Sequence, residues 1–147
     1  MLIAFDIGTK LGWASYDQGI VKSGTLRMDK CKSEFSLHGA RFLMLDNWLE
    51  AQWPRPELIG YEDVKRHTGT LAAHAYGGYL GVIQKYSHYY DIPIKPYGVG
   101  EIKKHATGKG NATKQEMIAA YVKRWGIAPI DDNEADALAI LSKMVEL

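Results

Sequence analysis

Two apolar runs in this 147-residue chain each stop on a carboxylate, and that pattern constrains the fold more than any other feature. Residues 2–5 run into Asp6, and Ile59-Gly60-Tyr61 runs into Glu62. Short apolar runs of this kind read as buried strands. A carboxylate closing such a strand is costly to bury unless it is paired or bound to a metal. If the two strands are sheet neighbours, both side chains meet at their ends.

The rest of the chain supplies elements to complete such a sheet. After the turn Asp6-Ile7-Gly8-Thr9, residues 12–16 form a second strand, and Asp17-Gln18-Gly19 reads as a hairpin turn into an alternating strand over 20–26. These three strands make an antiparallel meander. Leu37, Ala40, Arg41, Met44, Leu45, Trp48 and Leu49 recur at helical spacing over 36–51, and Pro54 and Pro56 stop that helix. The strand over 57–62 is followed by a helix over 70–89 and a short strand over 92–96. Pro93 places that strand near a sheet edge or marks its start. A short helix is expected near 99–107. Thr113 and Glu116 stand at capping-box spacing and open another. The last helix starts at Asp131 or Asp132 and runs to Val145, with Ala135, Leu138, Ala139, Leu141 and Val145 as its apolar face. The expected fold class is α/β, a five-stranded mixed sheet of three antiparallel strands and then parallel ones, with helices on both faces. Residues 1–147 are expected to form one domain.

The helix over 70–89 is rich in Ala72, Ala73, Ala75, Gly77, Gly78 and Gly81. Each glycine costs a helix about 1 kcal/mol relative to alanine, so close packing should offset the cost, either inside the domain or between two copies. The single cysteine, Cys31, excludes an internal disulfide framework and fits a reducing compartment. With no membrane-length apolar run and no basic leader, the expected location is the cytoplasm, that of the host if a phage encodes the chain. Net charge is +1, but residues 95–124 carry seven basic and two acidic residues while the remainder is net −4. That stretch reads as a footprint for phosphates or as a solvated helix face.

Asp131-Asp132-Asn133-Glu134-Ala135-Asp136 adds acids at a helix start. Asp132 and Asn133 lie four and three residues before Asp136 and share its face, whereas Glu134 points elsewhere. Asp6, Glu62, Asp136 and one of Asp132 or Asn133 would offer hard oxygen ligands suited to Mg²⁺ or Mn²⁺. Two such ions support phosphodiester hydrolysis. Each acid also has a plainer reading: helix cap for Asp131 or Asp132, turn former for Asp6, exposed strand end for Glu62.

Four ordered blocks resemble the RuvC family of Holliday junction resolvases, including its bacteriophage members. They are Ile3-Ala4-Phe5-Asp6-Ile7-Gly8-Thr9 with Gly12-Trp13-Ala14; Ile59-Gly60-Tyr61-Glu62; Glu134-Ala135-Asp136-Ala137-Leu138-Ala139; and a lysine helix with a Thr-Gly-x-Gly loop, from Gly100-Glu101-Ile102-Lys103-Lys104 through Thr107-Gly108-Lys109-Gly110 to Lys114. The resemblance implies an RNase H-like nuclease domain and a homodimer. It implies a Mg²⁺-dependent endodeoxyribonuclease that nicks four-way junctions and other branched DNA symmetrically, with two ions in each active site and Mn²⁺ as a substitute. It makes Asp6, Glu62 and Asp136 metal ligands and sets Lys103 and Lys114 beside the scissile phosphate, where a lysine neutralises developing charge.

Two positions depart from the family pattern. Asn133 stands where another acid is common, so that either Asp132 or Asn133 completes the ligand set. Asp63-Val64-Lys65-Arg66-His67 replaces an aromatic after the glutamate, which points to phosphate contact by Lys65 and Arg66, as by Lys103, Lys104, Lys109 and Lys114. A branched-DNA binder with weak or no catalysis, and a related nuclease on another nucleic acid, are the competing readings. The Asp6 turn also resembles the first phosphate loop of actin-like ATPases, but those need two lobes and this length supplies one.

Overall fold

The computed structural model describes residues 1–146. Its strands are β1 (Leu2–Asp6), β2 (Lys10–Asp17), β3 (Ile20–Arg27), β4 (Leu58–Glu62) and β5 (Ile94–Tyr97). Its helices are α1 (Leu37–Glu50), α2 (Thr70–Tyr89), α3 (Val99–Thr107), α4 (Lys114–Trp125) and α5 (Asp132–Val145). The sheet runs in the order β3-β2-β1-β4-β5. The first three strands pair antiparallel, whereas β1–β4 and β4–β5 are parallel. This is the mixed sheet that the strand pattern implies.

Strand alternation divides the core in two. Ile3 and Phe5 of β1 and Ile59 of β4 pack with Leu45 and Leu49 of α1 and Tyr79, Ile83 and Tyr86 of α2. Ala4 faces the other way, into a cluster with Tyr97, Ile102 of α3, Met117 and Tyr121 of α4, and Leu138, Ile140, Leu141 and Met144 of α5. Helices therefore cover both faces. No helix of the described residues is long and apolar enough to cross a membrane.

Differences from the sequence reading are local. Strand β5 starts at Ile94 and not at 92, because Ile92 closes the turn after α2, donating its amide to the Ser87 carbonyl at 2.9 Å. Pro93 precedes the strand, which lies at the sheet edge. Leu37 is 42% exposed, since it begins α1 just past the Ser36 cap, beyond the reach of the sheet. Helix α5 is buried well beyond its expected apolar stripe, while Val145 is only partly covered. Thr113 and Glu116 do form the capping box.

Two glycines set close approaches. Gly12, paired with Asp6 across the β1–β2 ladder, lies so close to α5 that an added Cβ would stand 1.9 Å from the Asn133 carbonyl oxygen. Gly78 of α2 meets the Phe42 ring of α1, where a Cβ would stand 2.3 Å from the ring edge. At least this glycine of the small-residue helix is accounted for by packing within the monomer. Gly12→Ala is expected to cost about 3 kcal/mol in urea unfolding, because backbone must move, and Gly78→Ala about 1 kcal/mol, because a side chain can yield. Equal costs at the two positions would contradict this account.

Candidate active site

Asp6 and Glu62 are the last residues of neighbouring parallel strands, one step beyond the Phe5–Tyr61 pair. Alternation turns both toward the α5 face: Ala4 lies in the α5 cluster, and a Cβ on Gly60 would meet the Met144 sulfur of α5. Helix α5 supplies the third acid. Asp131 caps it, its Oδ1 accepting the Glu134 amide and the Thr25 hydroxyl, each at 2.8 Å. Glu134, buried, accepts the Ser23 hydroxyl at 2.7 Å and the Ile130 amide at 2.8 Å. These bonds tie the start of the helix to β3, and Asp136 lines one cleft with Glu62.

Lysines enter from the α3–α4 layer. The Thr107 hydroxyl donates to the Lys103 carbonyl, and Gly108, at φ +80°, ends α3 in the left-handed conformation that favours glycine. Five residues on, the Thr113 capping box opens α4 with Lys114 as its first residue. The Lys114 ammonium donates to Asp136 Oδ1. A cleft of about 420 Å³ joins Glu62, Asp136, Lys103 and Lys114 over a floor that includes Ile102, Met117 and Ile140.

The carboxyl groups also act on one another electrostatically. Burial, then the Asp136 and Glu62 carboxylates, push the Asp6 carboxyl up to about 7, against the opposing pull of Lys114; Asp131 adds to the rise. Burial and Asp136 also raise Glu62, while Lys114 and Lys103 lower it. Excess negative charge on hard oxygens suits a divalent cation such as Mg²⁺. The residues to hold it would be Asp6, Glu62 and Asp136. Among the described residues, no three His, Cys, Asp or Glu side chains are already gathered into a metal cage; here Lys114 provides the positive charge at Asp136.

The other residues singled out in the sequence are spread more widely. Asp132 is exposed and Asn133 half-buried in the first turn of α5, Asn133 having its backbone against Gly12. Asp131, one of the two residues that the sequence offers as a cap, is the cap and also a carboxylate felt at Asp6. Lys109 pairs with Glu116 at 3.3 Å, Lys65 lies 3.9 Å from Asp63, and Arg66 and Lys104 are exposed. Sequence reasoning missed Ser23 and Thr25, whose partners lie more than a hundred positions away, and Tyr76, which donates to the Glu62 carbonyl at 2.9 Å. Alternation places Ser23 and Thr25 on one strand face, yet nothing in it names their partners.

The raised carboxyl at Asp6 has a consequence for stability. An unfolded chain releases that proton near 3.8, the folded one near 7. Between those values the folded state holds the extra proton, so this group's contribution falls as pH rises and the penalty is complete above about 7. Asp6→Asn is expected to stabilise the protein in EDTA at pH 8 by about 1–3 kcal/mol and to have little effect at pH 4. Denaturation at the two pH values measures this; a destabilised Asn variant at pH 8 would refute it.

No family model matches the sequence. Solved structures match the fold over nearly its whole length. Against T. thermophilus RuvC in complex with a Holliday junction substrate the TM-score is 0.78 at 21% identity, covering 98% of this chain and 92% of that one. A second Thermus thermophilus RuvC structure gives 0.73 at 23% identity with the same coverage. The yeast mitochondrial Holliday junction resolvase Ydc2 gives 0.66 at 13% identity, covering 96% of this chain and 75% of that one. The five-stranded mixed sheet with helices on both faces is thus the fold of the RuvC structures.

Proposed function

We propose that this chain is a metal-dependent endonuclease that resolves four-way DNA junctions and related branched DNA. The observation that carries the reading is that Asp6 and Glu62 end neighbouring parallel strands while Glu62, Asp136, Lys103 and Lys114 line one cleft. The likeness of fold to a RuvC structure in complex with a Holliday junction substrate and to a Holliday junction resolvase supports the substrate class.

In this reading Asp6, Glu62 and Asp136 hold Mg²⁺, with Mn²⁺ as a substitute and two ions in each site. Either Asp132 or Asn133, in the first turn of α5, adds a fourth contact. When bound, such ions supply an activated water and stabilise the leaving oxygen of a phosphodiester. Lys114 and Lys103 neutralise charge developing at the phosphate. Lys104, Lys109, Lys65 and Arg66 hold the flanking backbone, a contribution that weakens with salt.

Paired nicks need two sites, and each chain supplies one, so the working form is a homodimer. The outer face of α2 is the proposed contact, since Gly77 and Gly81 have open space before them and Leu71 is 79% exposed. Sedimentation without DNA tests this, and a strict monomer at micromolar concentration would overturn it.

The main test mixes the protein with a synthetic four-way junction, a fork and a linear duplex, in Mg²⁺ and in Mn²⁺. Symmetric nicks confined to the junction are the expected result. A gel shift with no product in either metal would mean a binder without catalysis. Asp6→Asn should abolish cutting and spare binding, whereas retained cleavage would remove Asp6 from the site. Lys114→Ala should lower the single-turnover rate about 100-fold, the scale of losing one charge-stabilising donor.

A further inference from the structure

The backbone loses its sheet support directly after Glu62. The Asp63 amide still donates to the Tyr97 carbonyl at 2.9 Å, and among the described residues no other backbone hydrogen bond holds residues 64–68. One side chain from another element takes over. Tyr76, in the second turn of α2, donates its hydroxyl to the Glu62 carbonyl at 2.9 Å and accepts the Val64 amide at 3.4 Å. Its ring stands 4.8 Å from that of His67, tilted by 49°. A single phenol oxygen thus bridges both ends of the Glu62-Asp63-Val64 segment.

The helix that carries Tyr76 is itself well fixed. Gly78 seats it on Phe42, and Tyr79, Ile83 and Tyr86 are buried beneath the sheet. Tyr79 makes a second contact of the same kind, its hydroxyl 3.1 Å from Thr9 Oγ1 in the turn that follows Asp6. Helix α2 therefore holds the chain just beyond both carboxylate-bearing strand ends, from the face opposite the carboxylates. The direction of the Glu62 side chain follows from its backbone, and a rotated carbonyl there would swing the carboxylate out of register with Asp6. Misplacement of a reacting group by about 1 Å can cost a rate factor on the order of 100.

We propose that Tyr76 is a positioning residue: its hydroxyl, hydrogen-bonded to the Glu62 carbonyl and the Val64 amide, fixes the backbone that aims Glu62 into the site. The proposal rests on the reading of Glu62 as part of a nuclease site, and it assigns Tyr76 no contact with DNA or metal. Tyr76→Phe keeps the ring against His67 and removes only the oxygen. Tyr86→Phe is the control, because Tyr86 is buried on the same helix and its hydroxyl faces Arg55, not the Glu62–Val64 segment.

Two measurements separate the outcomes. In protein free of metal and DNA, amide hydrogen exchange at Val64 should speed up about tenfold in Tyr76→Phe while Asp63, held by Tyr97, stays within about twofold. In single-turnover cleavage of a four-way junction, Tyr76→Phe should lower the rate constant by about 10- to 100-fold with junction affinity within about twofold, and Tyr86→Phe should change neither. Unchanged Val64 exchange, or an unchanged cleavage rate, overturns the proposal. So does an equal loss of rate in Tyr86→Phe, which would mark a general effect of helix packing. Should the wild-type protein cut no junction, the nuclease reading fails, and Val64 exchange alone still decides whether Tyr76 holds the segment.

Discussion

The contact on which the site depends is the first turn of α5 lying against Gly12. Asp6 faces Gly12 across the β1–β2 ladder, so the helix reaches the sheet directly beside the first carboxylate. Any side chain at position 12 would lift α5 away and take Asp136 with it. The acids at this helix start divide their work accordingly. Asp131 and Glu134 bond to Thr25, Ser23 and backbone amides, which fixes the helix and satisfies Glu134 where it is buried. Asp136, two residues beyond Glu134, is left to face the strand ends. Acids near a helix N-terminus also suit its dipole, so anchoring the helix and supplying acids to the site ask for the same composition there.

The lysine that answers these acids sits where helix physics alone would not put it. Lys114 is the first residue of α4, and a cation at a helix N-terminus opposes the dipole at a cost of about 0.3–1 kcal/mol. Its ion pair with Asp136 offsets that cost, and the capping box beside it keeps the helix end intact. The local rule gives way here because the cation is set against carboxylates that otherwise repel one another. Gly108 serves the same end, since its left-handed turn lets α3 and α4 present Lys103 and Lys114 to one cleft.

Much of this was legible in the chain because the relevant signals are local. An apolar run ending on Asp6 and another ending on Glu62 give both strands and the direction of both side chains, since alternation fixes which face each residue takes. The capping box at Thr113 and Glu116 was readable from spacing alone. The start of α5 was not, because moving a helix origin by one residue exchanges the roles of Asp131, Asp132 and Asn133. Only the bonds from Thr25 and Glu134 settle that Asp131 is the cap. The β3 anchors and Tyr76 were hidden for another reason: each acts on a residue distant in sequence, and Ser, Thr and Tyr in such settings carry no pattern of their own.

The two faces of the sheet end up with different tasks. Asp6 and Glu62 send their side chains to the α3–α5 face, where the acids and lysines meet. The chain that leaves each strand is held from the other face, by Tyr79 at Thr9 and Tyr76 at Glu62. Strand geometry makes this division possible, because a residue's side chain and the turn that follows it can be gripped from opposite sides without competing for space. A change on α2 thus reaches the site through backbone position, while a change on α4 or α5 reaches it through charge. In the proposed nuclease, effects of the first kind should alter rate with little change in the carboxylates' affinity for protons, and effects of the second kind should alter both.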